Sequence, residues 1–229
     1  MRFTKKDILD IESLEPNEIS MILDTAYGMK EISERAVKKV PTLRGKTIVL
    51  FFQEPSTRTK LSFDTAAKRL SADSLSISKS SSSIVKGETL IDTAKNLEAM
   101  NPDVIVLRHP SSGAAHLIAK RVRASVINAG DGIHAHPSQA LLDMMTVREK
   151  KGKIKGLKIS IIGDIAHSRV ARSDITGFSK MGAHVFICAP GTMIPMGIEN
   201  LGCTISPNIE TCIEGADIIM MLRIQKERQ

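Results

Sequence analysis

Lys46-Thr47-Ile48-Val49-Leu50-Phe51-Phe52 is an apolar run of strand character. It leads through Gln53-Glu54-Pro55 into Ser56-Thr57-Arg58-Thr59, and then into a helix-like run from Thr59 to Leu70. A buried strand, a proline-marked turn and a helix form the opening unit of a parallel α/β sheet. The turn also has a chemical reading. The first N–H groups of a helix lack intrahelical partners and carry partial positive charge. Hydroxyls and a guanidinium at the same turn add donors suited to a tetrahedral phosphate. A simple N-cap beside a surface arginine would use the same residues, so the rest of the chain must decide.

Strand-like and helix-like runs alternate on both sides of this unit. Pro16 opens an amphipathic helix to about Val37, with Ile19, Ile22, Leu23 and Ala26 spaced for one buried face. Further strands are expected at Ser74 to Ser78, Asp103 to Leu107 and Ser125 to Asn128, with helices at Glu88 to Met100 and Gly113 to Val122. A helix from Ser138 to Lys150 ends in Lys150-Lys151-Gly152-Lys153, the strongest boundary signal in the chain. Beyond it come a strand at Lys158 to Gly163, a helix at Ser168 to Met181, and strands at His184 to Cys188 and Asp217 to Leu222. The expected fold is therefore α/β, with two doubly wound parallel-sheet domains at 1–150 and 151–229. The second, with three visible strands, is expected to be incomplete.

Composition narrows the function classes. Apolar content of 42% with 25% charged residues is that of a globular chain. No apolar run approaches the length needed to cross a bilayer, and Met1 to Asp7 lacks the apolar core of a signal peptide. Cys188, Cys203 and Cys212 show no metal-ligand spacing and are expected to be free thiols in a reducing cytoplasm. A net charge of +7 and a pI near 9.4 could indicate nucleic acid. However, the basic residues are dispersed, and aromatic content is only 3%, too little for base-stacking platforms. A positive field also draws small anionic substrates.

Several further segments share a pattern with the phosphate turn. They are Lys86-Gly87-Glu88-Thr89 with Asp92-Thr93, Leu107-Arg108-His109-Pro110, His136-Pro137-Ser138-Gln139, Gly163-Asp164 through Ser168-Arg169, and Leu222-Arg223-Ile224-Gln225-Lys226-Glu227-Arg228. With Phe52 to Thr59 they resemble, in order and over nearly the whole chain, the aspartate/ornithine carbamoyltransferase family. Lys86 and the Arg223-Ile224-Gln225 segment resemble its aspartate branch. The His-Cys-Leu-Pro segment expected of the ornithine branch has no counterpart here. Members of the family continue past the Arg-x-Gln segment, so the resemblance implies that this chain stops inside its second domain.

The resemblance implies transfer of a carbamoyl group from carbamoyl phosphate to L-aspartate, a step of de novo pyrimidine synthesis, with no metal or organic cofactor. Ser56, Thr57, Arg58 and Thr59 would hold the phosphate, and Arg58 would also stabilise the leaving oxygen. Arg108, Thr59 and His136 would contact the carbamoyl oxygen, and Gln139 would accept from the carbamoyl NH2. The serine-rich stretch Ser71 to Ser83 reads as a loop ending at a cation, the composition of a lid over phosphate. By the resemblance, its Ser82 and Lys86 enter the site of a neighbouring subunit in a homotrimer, to which a regulatory chain can add. Two separated arginines, Arg169 and Arg223, suit the two carboxylates of aspartate, Lys86 also lying on that side. Gln225, two residues past Arg223, would fall on the same strand face. The other readings are a carbamoyltransferase for another amine, such as ornithine, and a non-catalytic domain binding anions or nucleic acid.

His134-Ala135-His136 has the spacing of two metal ligands but no third ligand motif. Gly163-Asp164 is not a dinucleotide fingerprint. Asp131 and Asp143 read as a helix cap and a solvated face rather than as bases.

Overall fold

A computed structural model describes residues 3–78 and 88–225. Ser82 and Lys86 lie outside the described residues. The secondary structure alternates as the sequence suggests: α1 (Pro16–Glu34), β1 (Thr47–Phe52), α2 (Thr57–Arg69), β2 (Asp73–Ser78), α3 (Leu90–Ala99), β3 (Val104–His109), α4 (Ala114–Ala119), β4 (Ser125–Asp131) and α5 (Pro137–Lys151). There follow β5 (Lys158–Ile162), α6 (Arg169–Lys180), β6 (His184–Cys188), β7 (Cys203–Ile205), α7 (Ile209–Ile213) and β8 (Ile218–Met221). No helix among the described residues is long and apolar enough to cross a membrane.

By packing, the chain forms two compact units: Met1–Leu9 with Asp24–Gly132, and Asp10–Leu23 with Ile133–Gln229. In the first, four parallel strands lie in the order β2-β1-β3-β4. β1 is buried along nearly its whole length, as a central parallel strand covered on both faces must be. Its alternate residues supply two cores. Val49 and Phe51 pack with Ile105, Leu107, Ile118 and Val126. Ile48, Leu50 and Phe52 pack with Ala67, Val106 and Ala129.

The second unit carries a parallel sheet in the order β7-β6-β5-β8. Three of these strands are legible in the sequence. β7 is not, because its three residues are too few to show a periodicity. α7 escapes for the same reason, although Asn208 caps it through Thr211 N at 2.8 Å. Helix α5 packs on α6, where Gly177 leaves room for Met144 and Ile11, and this assigns α5 to the second unit by packing. The Lys150–Lys153 punctuation marks the end of that helix, where Gly152 turns the chain at φ 76°.

Both sheets have a point where strand order reverses, between β1 and β3 in the first and between β5 and β8 in the second. Ligands of open α/β sheets bind outside the carboxyl ends of the strands at such points. In the first unit Gln53 to Thr59 follow β1 and Arg108 lies at the end of β3; in the second, Asp164 to Arg169 follow β5 and Arg223 and Gln225 follow β8.

Candidate active site

In the first unit, β1 delivers the chain to Gln53 and α2 begins at Thr57, with Ser56 as N-cap. Ser56 has extended backbone, as an N-cap should, yet its side chain makes no capping hydrogen bond. The helix N-terminus is therefore not quenched by its own cap, and the Ser56 hydroxyl remains to serve a ligand. Thr57 and Arg58 are exposed in the first turn, and Thr59 is half-buried. No acidic residue occupies that turn. A cleft of about 350 Å³ opens beside it, lined by Ser56, Thr57, Lys60, Leu61, Asp64 and Ser76.

Arg108 reaches the same edge from the neighbouring strand. Phe52 pairs with Arg108 in register, and Gln53 N donates to Arg108 O at 2.8 Å. The Arg108 guanidinium donates to Glu54 Oε1 at 2.7 Å and to Ala129 O at 3.1 Å. Both partners of the ion pair are mostly buried, at 12% and 22% side-chain exposure, so the fork is held in one direction. The sequence motif contains Glu54 without giving it a role; holding Arg108 is that role. Its position two residues before Ser56 was the available signal.

Asp131 and Asn128 stabilise the loop after β3. Asp131, fully buried, accepts from Gly113 N at 2.7 Å and from Asn128 Nδ2 at 2.8 Å. The capping role expected of Asp131 thus takes the form of a bond to the N-cap residue of α4. His109 accepts Ser111 N at Nδ1 (2.9 Å), and burial pushes its pKa down, favouring the neutral ring.

In the second unit, His136 stands at the N-cap position of α5, without a side-chain capping bond, and is 6% exposed. Its N–H donates to Ser173 Oγ of α6 at 2.9 Å. Gln139, one turn into α5, donates its amide NH2 to Asp143 at 3.0 and 3.2 Å. Asp143 is therefore no solvated side chain. It is half-buried, and burial raises its pKa from the ordinary carboxylate value although the Gln139 hydrogen bond pulls it back.

At the reversal point of the second sheet, Asp164 follows β5 and is fully buried. Its Oδ1 accepts from His167 N at 3.2 Å and bonds His167 Nδ1 at 2.8 Å. Its Oδ2 accepts Gln225 N at 3.0 Å. Burial alone would raise the Asp164 pKa, but the bonds from Gln225 and His167 outweigh it and hold the carboxyl below its ordinary value. Asp164 thereby ties the start of the α6 loop to the segment after β8. Gly163 permits the approach: a Cβ there would lie 2.4 Å from Leu222 O. In the sequence Asp164 is only a motif member, because its partner lies 61 residues away.

Arg169 is the first residue of α6, behind the N-cap Ser168, and is 3% exposed. Arg223 is exposed, whereas Gln225 is half-buried with an Oε1 that finds no hydrogen bond among the described residues. Arg223 and Gln225 do not share a strand face as expected, because β8 ends at Met221 and both residues lie in irregular chain. What fixes Gln225 is Asp164. Among the described residues no three His, Cys, Asp or Glu side chains group as metal ligands.

Residues 6–149 match the family model of the aspartate/ornithine carbamoyltransferase carbamoyl-P binding domain, and the chain belongs to this family. Within it, the chain is 79% identical, over all 229 residues, to the aspartate carbamoyltransferase catalytic subunit of Desulforapulum autotrophicum and spans 73% of that protein. Its fold matches Trypanosoma cruzi aspartate transcarbamoylase in complex with carbamoyl phosphate and aspartate, with TM-score 0.88 and 28% identity over 96% of this chain and 73% of that one. It also matches Pyrococcus furiosus ornithine carbamoyltransferase, with TM-score 0.85 and 31% identity over 96% of this chain and 72% of that one. The shared fold does not choose the amine, whereas the high-identity relatives are aspartate enzymes.

Proposed function

We propose that this chain transfers the carbamoyl group of carbamoyl phosphate to the amine of L-aspartate, giving N-carbamoyl-L-aspartate and phosphate. One observation carries the reading. At the reversal point of the first sheet, β1 leads into an uncapped helix N-terminus with the Ser56 hydroxyl and the exposed Arg58, and the neighbouring strand β3 ends at an arginine that Glu54 holds in place. In this reading Ser56, Thr57, Arg58 and Thr59 bind the phosphate. The aspartate nitrogen attacks the carbamoyl carbon, giving a tetrahedral oxyanion that Arg108, Thr59 and His136 stabilise. The C–O bond to phosphate then breaks, with Arg58 neutralising charge on the leaving oxygen, and the attacking nitrogen passes its proton to the departing phosphate. Alignment and charge suffice, without a covalent enzyme intermediate.

Gln139 accepts from the carbamoyl NH2. Arg169 and Arg223 take the two carboxylates of aspartate, with Gln225 beside them. Two guanidinium forks favour a dicarboxylate over the cationic side chain of ornithine. By function, residues 1–150 carry the carbamoyl phosphate side and 151–229 the aspartate side, a division supported by the span of the family model. Ser82 and Lys86 complete the site of a neighbouring subunit in a homotrimer. The working compartment is the cytoplasm, in keeping with three buried free cysteines.

Calorimetric titration tests the reading. Carbamoyl phosphate should bind the wild-type chain, and Ser56→Ala should weaken that binding while the fold persists, since the Ser56 side chain makes no capping bond. Equal binding by both chains would overturn the assignment of the phosphate turn.

A further inference from the structure

Gln139 and Asp143 stand one turn apart on α5, and the glutamine NH2 faces both carboxylate oxygens at 3.0 and 3.2 Å. A carboxylate accepts hydrogen bonds and donates none, so only the NH2 end of the carboxamide can face it. This settles which way the amide points. Its NH2 is spent on Asp143, and its Oε1 is left as an acceptor. A carboxamide without that anchor can turn about its last torsion, presenting donor to donor before a substrate NH2.

The geometry points to Asp143 as a positioning residue that fixes the Gln139 carboxamide with its oxygen toward the carbamoyl NH2. This rests on the reading of Gln139 as a carbamoyl phosphate contact. α6, packed against α5, carries Asp174 near enough to feel the charge of Asp143. Asp174 is fully buried, and neither of its carboxylate oxygens finds a hydrogen bond among the described residues. Burial, and then the charge of Asp143, push the Asp174 pKa well above its ordinary value. Asp174 is thus shifted toward its neutral form, and Gln139 is the donor that faces the Asp143 carboxylate.

A double-mutant cycle on carbamoyl phosphate affinity separates positioning from packing. Gln139→Ala should weaken binding by about ten-fold, the worth of one well-made hydrogen bond. Asp143→Ala should weaken it by about three- to ten-fold, since a misdirected amide loses most of that bond. The double variant should be no weaker than Gln139→Ala alone. Asp143→Glu, which restores a carboxylate, should recover affinity that Asp143→Ala loses. Should Asp143→Ala not fold, the isosteric Asp143→Asn takes its place in the cycle, because its amide no longer dictates the direction of Gln139. Unchanged affinity in Gln139→Ala would remove Gln139 from the site and the inference with it. A loss in Gln139→Ala with no loss in the Asp143 variants, or losses that multiply in the double variant, would leave the site reading intact and overturn the positioning role.

Discussion

Arg58 stands exposed in the first turn of α2, while Arg108 is clamped by Glu54, and in the proposed reaction the two arginines do different work. A clamped guanidinium is pre-organised for charge that appears at one place, the carbamoyl oxygen. An exposed one can follow the leaving phosphate. Loss of Arg58 should therefore fall mainly on turnover. Arg58→Ala is expected to lose on the order of 3–4 kcal/mol of transition-state stabilisation, as when an oxyanion donor is removed. Arg58→Lys should also fail, because a point charge does not reproduce the planar fork. Steady-state kinetics alongside an unchanged circular dichroism spectrum check both; near-normal turnover in either variant would take Arg58 out of the mechanism. At this scale most proposed contacts were legible as residue types at turns. Glu54 and Asp164 were legible only as neighbours in a motif, since their roles are hydrogen bonds to residues 54 and 61 positions away.

At the scale of elements, the strands and helices other than the short β7 and α7 were legible with ends off by a few residues, because ends depend on caps rather than periodicity. α4 is shorter than expected: Lys120 and Arg121 N–H groups close its last turn onto His116 and Ile118 carbonyls. Two substitutions test how elements set the site. Gly163→Ala places a Cβ against Leu222 O at φ +123°, so the β5 end and the segment after β8 must part. It should cost about 3 kcal/mol, combining overpacking with backbone strain, and should weaken aspartate binding through Gln225. Gly28→Ala in α1 meets nothing within 4 Å. It should instead stabilise the chain, by about 1 kcal/mol of helix propensity. The α5–α6 interface yields a pH prediction. The folded-state pKa of Asp174 is raised above its unfolded value. Its contribution is therefore fully present below the unfolded value, near 3.8, and is lost as pH rises through the folded one. Asp174→Asn should therefore raise stability at pH 7–8, where the unfolded chain has lost a proton that the folded chain holds. Near pH 4 it should change little. Thermal melts across that range check the sign, and equal effects at both ends would contradict it.

At the scale of the molecule, two parallel sheets were legible because buried strands and amphipathic helices alternate at regular spacing. The packing of α5 with the second sheet was not, since punctuation marks where a helix ends and not what it lies against. The basic charge, dispersed over the chain, fits a field that draws anionic substrates and fits a solvated basic surface equally well. The shared-site proposal is tested by mixing subunits. Arg58→Ala and Lys86→Ala chains should each be nearly inactive, and exchange between them should restore activity toward the fraction of intact sites that subunit statistics allow. No recovery after verified exchange would mean that each site is built from one chain. Carbamoyl transfer to aspartate itself is tested by identifying the product. The chain is incubated with carbamoyl phosphate and either L-aspartate or L-ornithine, and the carbamoylated amino acid and released phosphate are quantified together. N-carbamoyl-L-aspartate and phosphate are expected in equal amounts from aspartate, with no citrulline above the enzyme-free control. Citrulline as the preferred product, or no transfer to aspartate by the folded chain, would contradict the proposed reaction.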